Sequence, residues 1–225
     1  VEEVGGNAKK IKVGDRVIVD QVTACGTCYA CRKGRPNVCG NLKVRGVHID
    51  GGYREYMAVP DRDCYLVPEI LSDEEAVMIE PTTIAVQCCS RAELESEDTV
   101  MIIGSGALGS SILRIVKLYN PKAIIVTDID DAKLEEAKKN GATYTVTIDA
   151  ACVKGSLLTA LQATGNAGRV ITMGFSVAPT EVNQFVITSK ELDVRGSRLQ
   201  NRKFQDVIDL VNEGKVDLPG SISHT

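Results

Sequence analysis

The stretch Val100-Met-Ile-Ile-Gly-Ser-Gly-Ala-Leu-Gly109 places a glycine-rich turn between an apolar strand and the start of a helix. Its three glycines allow a tight turn, close approach of a pyrophosphate, and close packing of the helix on the strand. The amides at the start of such a helix carry partial positive charge toward phosphate groups. The motif predicts a dinucleotide site formed by Gly104, Gly106, Ala107, Leu108 and Gly109.

A second strand, Ala123-Ile-Ile-Val-Thr-Asp128, ends in an acid 24 residues after Gly104. A carboxylate there accepts hydrogen bonds from the adenosine ribose and repels a 2′-phosphate, so Asp128 favours NAD over NADP. The alternative is an N-cap for the next helix, a role that Asp130 or Asp131 fills better.

Lys133 is a further candidate for the ribose, in support of Asp128. The alternative is that it belongs to a solvated helix face together with Lys138 and Lys139.

Strands and helices alternate on both sides of the glycine turn. This alternation predicts an α/β fold with a parallel sheet and helical crossovers. The predicted strands cover residues 100–103, 123–127, 143–148, 169–173 and 191–196, and the predicted helices cover 73–79, 82–92, 107–118, 131–140 and 202–212. Residues 10–70 are rich in glycine, valine and turn signals, and indicate a β-rich half with strands within 11–20 and 53–59.

One stretch contradicts this pattern. Residues 143–148 have the composition of a buried parallel strand, and Ile148–Ala151 resembles the end of the next one. Parallel neighbours need a crossover of about a dozen residues or more, and the sequence has none here. We therefore expect a segment of about 20 residues to be missing near positions 146–147.

Four cysteines, Cys25, Cys28, Cys31 and Cys39, are clustered among turn residues. Four thiolates at this spacing can wrap one tetrahedral zinc ion, and a site with four protein ligands has no open position for chemistry. The cluster therefore predicts a structural zinc, with basic residues at 32, 33 and 35 to offset its charge. Ordinary thiols or disulfides are the alternative.

Composition narrows the class of protein. The chain has 225 residues, 44% hydrophobic and 25% charged, with a net charge of −4. This balance indicates a globular protein and does not imply a nucleic-acid partner. No apolar run has membrane-spanning length and no signal peptide is recognisable, which predicts a cytoplasmic protein without a membrane partner.

Together these motifs resemble the zinc-containing medium-chain dehydrogenases over nearly the whole chain. The resemblance is carried by the two sites above and by four further segments. These segments are Val13-Gly-Asp-Arg-Val17, Gly51-Gly-Tyr-Arg-Glu-Tyr56, Glu80-Pro81 and Met173-Gly-Phe175. Within the family, residues 46–52, 77–81, 148–152 and 197–199 are similar to the polyol and sugar-acid branch, namely the starvation-sensing-type and the L-galactonate or L-gulonate 5-dehydrogenases.

The resemblance implies a partial GroES-like catalytic domain with the zinc lobe at 1–83. It further implies an NAD-binding Rossmann domain with a doubly wound sheet at 84–196, and a C-terminal return toward the catalytic domain at 197–225. In the family the catalytic zinc is held by a cysteine and a His-Glu pair, which would precede Val1 together with the Ser or Thr of the proton relay. The resemblance therefore implies an enzyme of roughly 340 residues.

Several site residues follow from the resemblance. Glu80 corresponds to the glutamate at the catalytic zinc, although alone it would be taken for a surface acid at a helix end. Gly174 and Phe175 correspond to the loop that contacts the nicotinamide. His48 is a candidate to touch the substrate or to be an ordinary loop residue. Arg198, like Arg54, is a candidate to bind a sugar-acid carboxylate or to be an ordinary surface arginine.

The implied activity is the NAD-linked oxidation of a secondary alcohol, such as a polyol or sugar acid, by a zinc enzyme that forms a homodimer or homotetramer. Two other classes remain open. One is a non-catalytic zinc- and nucleotide-binding regulatory protein derived from this fold. The other is a zinc-free reductase, which the cysteine cluster and Glu80-Pro81 disfavour.

Overall fold

The chain divides into two units in the computed structural model, which describes residues 1–128 and 144–218. One unit comprises Val1–Thr83 and Leu199–Thr225, and the other comprises Ile84–Arg198.

The first unit contains short antiparallel strand pairs. Strand β1 (Val17–Val19) pairs with β4 (Cys64–Leu66), and β2 (Val22–Thr23) pairs with β3 (Lys43–Val44). Between them lie helix α1 (Tyr29–Arg32) and 3-10 turns at Pro36–Val38 and Asp61–Asp63. Helix α2 (Asp73–Ala76) follows, and α3 (Ile79–Ala92) leads the chain into the second unit.

The second unit is organised around a parallel sheet with the strand order β6-β5-β7-β8-β9. The elements follow in the order β5 (Thr99–Ile103), α4 (Ala107–Lys117), β6 (Ala123–Thr127), β7 (Tyr144–Asp149), α5 (Ser156–Ala163), β8 (Thr164–Thr172), α6 (Gln184–Thr188) and β9 (Asp193–Gly196). Helix α7 (Phe204–Asn212) then belongs to the first unit. The predicted α/β class, with a β-rich first unit and a Rossmann-type parallel sheet, is confirmed.

The apolar residues of the strands place the parallel sheet in the core of the second unit. Val100, Ile102, Val146, Ile148 and Ile171 are all fully buried. Parallel strands are covered on both faces, so their sequences are continuous apolar runs rather than alternating ones. Each such side chain contributes about 1.5–3 kcal/mol to the free energy of unfolding.

Helix α4 shows how the sequence sets its own bounds. Gly106 is the N-cap with an extended backbone, so the helical amides begin directly after the glycine turn. Ile112, Ile115 and Val116 recur at helical spacing and are buried. Asn120 then adopts a left-handed conformation, with φ of 49°, and Pro121 prevents the helix from continuing.

The order of the strands reverses at β5. The chain runs from β5 outward to β6 and returns to β7 on the other side of β5. In open sheets of this kind, ligands bind beyond the carboxyl ends of the strands at the point of reversal. Gly104 and Ala150, which follow β5 and β7, lie at that point.

The C-terminal segment packs within the first unit. Phe204 is fully buried and stacks on Tyr65 with ring centroids 5.1 Å apart. Gln200 donates a hydrogen bond of 2.6 Å to the carboxylate of Asp20, and both residues are buried. Through these contacts, Tyr65 on β4 and Asp20, directly after β1, hold the segment that contains Gln200 and Phe204.

Some predicted elements differ in the structure. Residues 53–59 form no strand, because no strand in the described part of the chain pairs with them, and Tyr53 is fully exposed. Strand β8 begins at Thr164 rather than at residue 169, and helices α5 and α6 were not predicted. The helix predicted over 131–140 lies outside the described residues.

Strand β7 is continuous through positions 146 and 147. Val146 pairs with Val100 on one side and with Arg169 on the other, so the two strand ends indicated by the sequence are one strand here. The segment expected to be missing at this position stays a prediction.

Candidate functional site

The four clustered cysteines meet at one point of the first unit. Their sulfur atoms all lie within 4.8 Å of one another. The Sγ–Sγ distances are 3.6 Å from Cys28 to Cys31, 3.8 Å from Cys28 to Cys39, and 3.5 Å from Cys39 to Cys25. A tetrahedral zinc with Zn–S bonds of about 2.3 Å would set its sulfurs about 3.8 Å apart. The cluster therefore fits one zinc ion.

Backbone amides point at these sulfurs. The amide of Cys28 donates to Cys25 Sγ at 3.4 Å, and the amide of Cys25 donates to Cys39 Sγ at 3.4 Å. Amides of Thr27 and Cys28 lower the pKa of the Cys25 thiol to about 5. Desolvation and the neighbouring sulfurs raise the pKa of Cys31 to about 12, so four thiolates together require a cation.

The disulfide alternative for the cluster does not fit. All eight cysteines are free, and sulfurs more than 3 Å apart are far from the disulfide bond length of about 2.05 Å. In the part of the chain that the structure describes, no other group of three or more His, Cys, Asp or Glu side chains is arranged to hold a metal ion.

Local contacts hold the lobe in shape. Arg32 Nη1 donates to the carbonyl of Thr27 at 2.6 Å, closing the loop across helix α1. Asn201, near the start of α7, donates from Nδ2 to the carbonyl of Gly34 at 3.0 Å. The lobe is therefore anchored to the C-terminal segment of its own unit.

The glycine turn of the second unit has the geometry that its sequence predicts. Gly104 adopts φ of +99°, and its amide donates to the carbonyl of Thr127 at 2.6 Å. A Cβ added at Gly109 would lie 2.0 Å from the carbonyl oxygen of Gly104, so only glycine fits where the helix meets the strand. A Cβ at Gly106 would meet nothing within 4 Å, which leaves this position open to a ligand.

A cavity of about 630 Å³ lies over the turn. This volume lies in the range of small-molecule and cofactor sites. The cavity is lined by Ile103, Gly104, Ser105, Gly106, Ala107, Leu108, Gly109, Asp128, Ala150, Ala151, Val153, Lys154, Gly155, Ser156 and Thr159. The predicted glycine turn and Asp128 thus share one cavity at the carboxyl ends of β5, β6 and β7.

The loop after β7 forms the opposite wall of this cavity. Asp149, only 2% exposed, accepts hydrogen bonds from the amide of Cys152 at 2.9 Å and from Ser156 Oγ at 2.8 Å. These two bonds fix the loop between β7 and α5. Sequence reasoning missed this role, because an acid at a strand end does not reveal which donors the next loop will turn toward it.

Gly174 lies beside this loop. A Cβ there would lie 3.7 Å from Cys152 Cβ, in ordinary contact. The next residue, Phe175, is 70% exposed. Both residues follow β8 at the same edge of the sheet as the glycine turn.

Glu80 lies in the first turn of α3 and is mostly buried. Gln21 Nε2 donates a hydrogen bond to the Glu80 carboxylate. The two residues are 59 positions apart, and no local pattern in the sequence predicts this pairing. Burial raises the pKa of Glu80, against the lowering effect of Gln21. A catalytic zinc would need more ligands than the described residues gather at Glu80.

The other candidates in the described part of the chain are exposed side chains. His48 is exposed, and its Nδ1 accepts a hydrogen bond of 3.0 Å from the amide of Val44 in its own loop. Arg54 pairs with Asp50 at 2.7 Å. Arg198 is exposed at the end of the second unit, directly after β9. Lys133 lies outside the described residues.

Comparison with known proteins gives concordant results. The model of the alcohol dehydrogenase GroES-like domain matches residues 1–69. The starvation-sensing protein RspB of Escherichia coli K12 is 40% identical over 246 residues of alignment, which cover 100% of this chain and 73% of RspB. Sorbitol dehydrogenase of Bacillus subtilis is 36% identical over 149 residues, covering 66% of this chain and 42% of that enzyme.

Solved structures agree. The crystal structure of the alcohol dehydrogenase rspB from E. coli CFT073, complexed with NADH, superposes with a TM-score of 0.89 at 40% identity, covering 97% of this chain and 71% of that one. A zinc-binding dehydrogenase from Sinorhizobium meliloti bound to NADP has a TM-score of 0.87 at 24% identity, covering 99% and 73%, and shows the shared fold alone.

The GroES-like unit with its cysteine cluster and the parallel sheet with its glycine turn together define a zinc-type alcohol dehydrogenase. The chain belongs to the zinc-containing medium-chain alcohol and polyol dehydrogenase family. The resemblance to the starvation-sensing branch is confirmed. No helix in residues 1–128 or 144–218 is long and apolar enough to cross a membrane.

Proposed function

We propose that this chain is a zinc-dependent oxidoreductase that transfers a hydride between a secondary alcohol, either a polyol or a sugar acid, and NAD. The observation that carries the proposal is the cavity in which an open glycine turn and Asp128 stand together. In this arrangement one protein surface can hold the pyrophosphate and the adenosine ribose at the same time.

Specific residues would hold the dinucleotide. The amides that start α4, at Ala107 and Leu108, would donate to the pyrophosphate, and the open space at Gly106 would let the phosphates approach the backbone. Asp128 would accept hydrogen bonds from the ribose hydroxyls. Gly174 and Phe175 would contact the nicotinamide ring. When bound, NAD supplies the hydride acceptor, while the protein supplies position and electrostatics.

The cysteine cluster would hold a structural zinc through Cys25, Cys28, Cys31 and Cys39. With four protein ligands the ion has no open position, so its role is to stabilise the lobe. Glu80 is proposed at the catalytic zinc as a ligand or as a neighbouring carboxylate. Such an ion would supply Lewis-acid chemistry, which lowers the pKa of a bound alcohol.

The substrate class rests on the relatives and on charge. Sorbitol dehydrogenase of B. subtilis and L-idonate 5-dehydrogenase of Vitis vinifera, 36% and 26% identical, carry polyol and sugar-acid substrates in their names. We propose Arg198 as the group that pairs with a sugar-acid carboxylate, and His48 as a residue that touches the substrate. A cytoplasmic homodimer or homotetramer completes the proposal.

Asp128→Ala tests the assignment of the cofactor. The variant loses an acceptor for the ribose hydroxyls and the repulsion of a 2′-phosphate. The Kd for NADH should rise roughly 10- to 100-fold, because hydrogen bonds to a charged group are worth about 1.5–3 kcal/mol. The Kd for NADPH should stay level or fall. Calorimetric titration with each nucleotide measures both values.

Glu97→Ala is the matched control, since it removes an exposed carboxylate from the same unit but outside the cavity. It should leave the ratio of the two Kd values unchanged. An Asp128→Ala variant that keeps the wild-type preference would rule out this carboxylate as the NAD determinant.

A further inference from the structure

We propose that Ser105 is a positioning residue that fixes the carboxylate of Asp128, and thereby sets the preference for NAD over NADP. This inference rests on the proposed function of the cavity. Ser105 occupies the variable position between two glycines of the turn, where the motif itself demands no particular residue type.

Two donors of Ser105 converge on one oxygen. Its amide donates to Asp128 Oδ2 at 3.1 Å, and its hydroxyl donates to the same Oδ2. The two residues are 23 positions apart and belong to the ends of neighbouring strands, β5 and β6. The side chain of Ser105 is exposed toward the cavity that it lines, so this contact is not required to fill the core.

Ser105 is itself held in place. Ser110 Oγ donates to the carbonyl of Ser105 at 3.0 Å, from the first turns of α4. The amide of Gly104 bonds to the carbonyl of Thr127 at 2.6 Å, which joins the turn to the residue before Asp128. The acid that meets the ribose and the turn that meets the phosphates are therefore connected by three hydrogen bonds.

This connection has a chemical consequence. A carboxylate offers two oxygens with about four acceptor positions. Ser105 occupies one oxygen from the protein side, which fixes the rotation of the side chain and directs the acid before the nucleotide arrives. A ligand then binds without first ordering the acid, and preorganisation of this kind increases affinity. A 2′-phosphate would be repelled by the Asp128 carboxylate, because the hydrogen bonds from Ser105 prevent that side chain from rotating away.

Ser105→Ala removes the hydroxyl and keeps the amide. The Kd for NADH should rise roughly fivefold to tenfold, and the preference for NADH over NADPH should fall by a similar factor. Ser105→Thr keeps the hydroxyl and should retain the wild-type ratio. Ser90→Ala is the matched control, because it removes an exposed serine hydroxyl from the same unit but outside the cavity.

The decisive measurement is a double-mutant cycle of Ser105→Ala and Asp128→Ala, with Kd values for NADH and NADPH by calorimetry and Tm as a check on folding. If Ser105 acts through Asp128, Ser105→Ala should leave the ratio of the two Kd values unchanged in the Asp128→Ala background. An equal effect in both backgrounds, or an equal effect of Ser90→Ala, would overturn the inference.

The outcomes separate the two proposals. If Asp128→Ala changes the preference and Ser105→Ala does not, the cofactor assignment stands and the role of Ser105 is rejected. If the wild-type chain binds neither nucleotide, or if Asp128→Ala has no effect, the proposed function fails and this inference fails with it.

Discussion

Cys39→Ser is expected to lower the zinc content by about one ion per chain and to lower the Tm by about 10 °C or more. Cys39 is the buried member of the cluster and lies within 3.8 Å of Cys28 and Cys25. Structural zinc supplies about 10–16 kcal/mol of apparent binding free energy in isolated zinc-finger peptides. For a chain of this size each kcal/mol shifts the Tm by about 2–4 °C.

The measurement is metal analysis after dialysis against a chelator, together with thermal unfolding. Cys152→Ser is the control for zinc content, because Cys152 lies in the other unit and outside the cluster. It should retain all of the zinc that the wild type retains. A Cys39→Ser chain with wild-type zinc content would show that the four cysteines are not the site.

Gly109→Ala has the second-largest expected effect, a loss of at least about 3 kcal/mol in the free energy of unfolding. Overpacking a core costs about 1–3 kcal/mol when side chains can adjust. Here the new Cβ would lie 2.0 Å from the oxygen and 2.8 Å from the carbon of the Gly104 carbonyl. These are backbone atoms of the turn itself, so the helix must move away from the strand. Chemical denaturation measures the loss.

Gly106→Ala provides the comparison within the same motif. A Cβ there has open space, and the backbone φ of −64° suits any residue. Its free energy of unfolding should stay within about 1 kcal/mol of the wild type. Equal stability of the two variants would contradict the close helix–strand contact at Gly109.

Much of the second unit follows from local pattern. The strand at Ala123–Thr127 has the predicted bounds, and α4 ends one residue before its prediction. These elements combine apolar periodicity with clear stop signals, and both are visible in a single sequence. The four cysteines likewise belong to one short loop, so their meeting needs little long-range information.

The misses depend on partners that are distant in sequence. A strand over 53–59 requires a neighbouring strand, which no local pattern reveals. Gln21 meets Glu80 across 59 positions, and Ser105 meets Asp128 across 23. Such pairings arise from the packing of secondary-structure elements, whereas the sequence motifs identify only the acidic residues Glu80 and Asp128. The roles of His48 and Arg198 stay predictions.

The central claim is that the cavity over the glycine turn binds NAD. The direct test is calorimetric titration of NADH into the wild-type chain and into Gly106→Val, whose side chain would occupy the space left open for the pyrophosphate. The account predicts saturable binding at one site in the wild type and its loss in a variant that unfolds at nearly the same temperature. Equal binding by both chains, or no binding by the wild type, would contradict it.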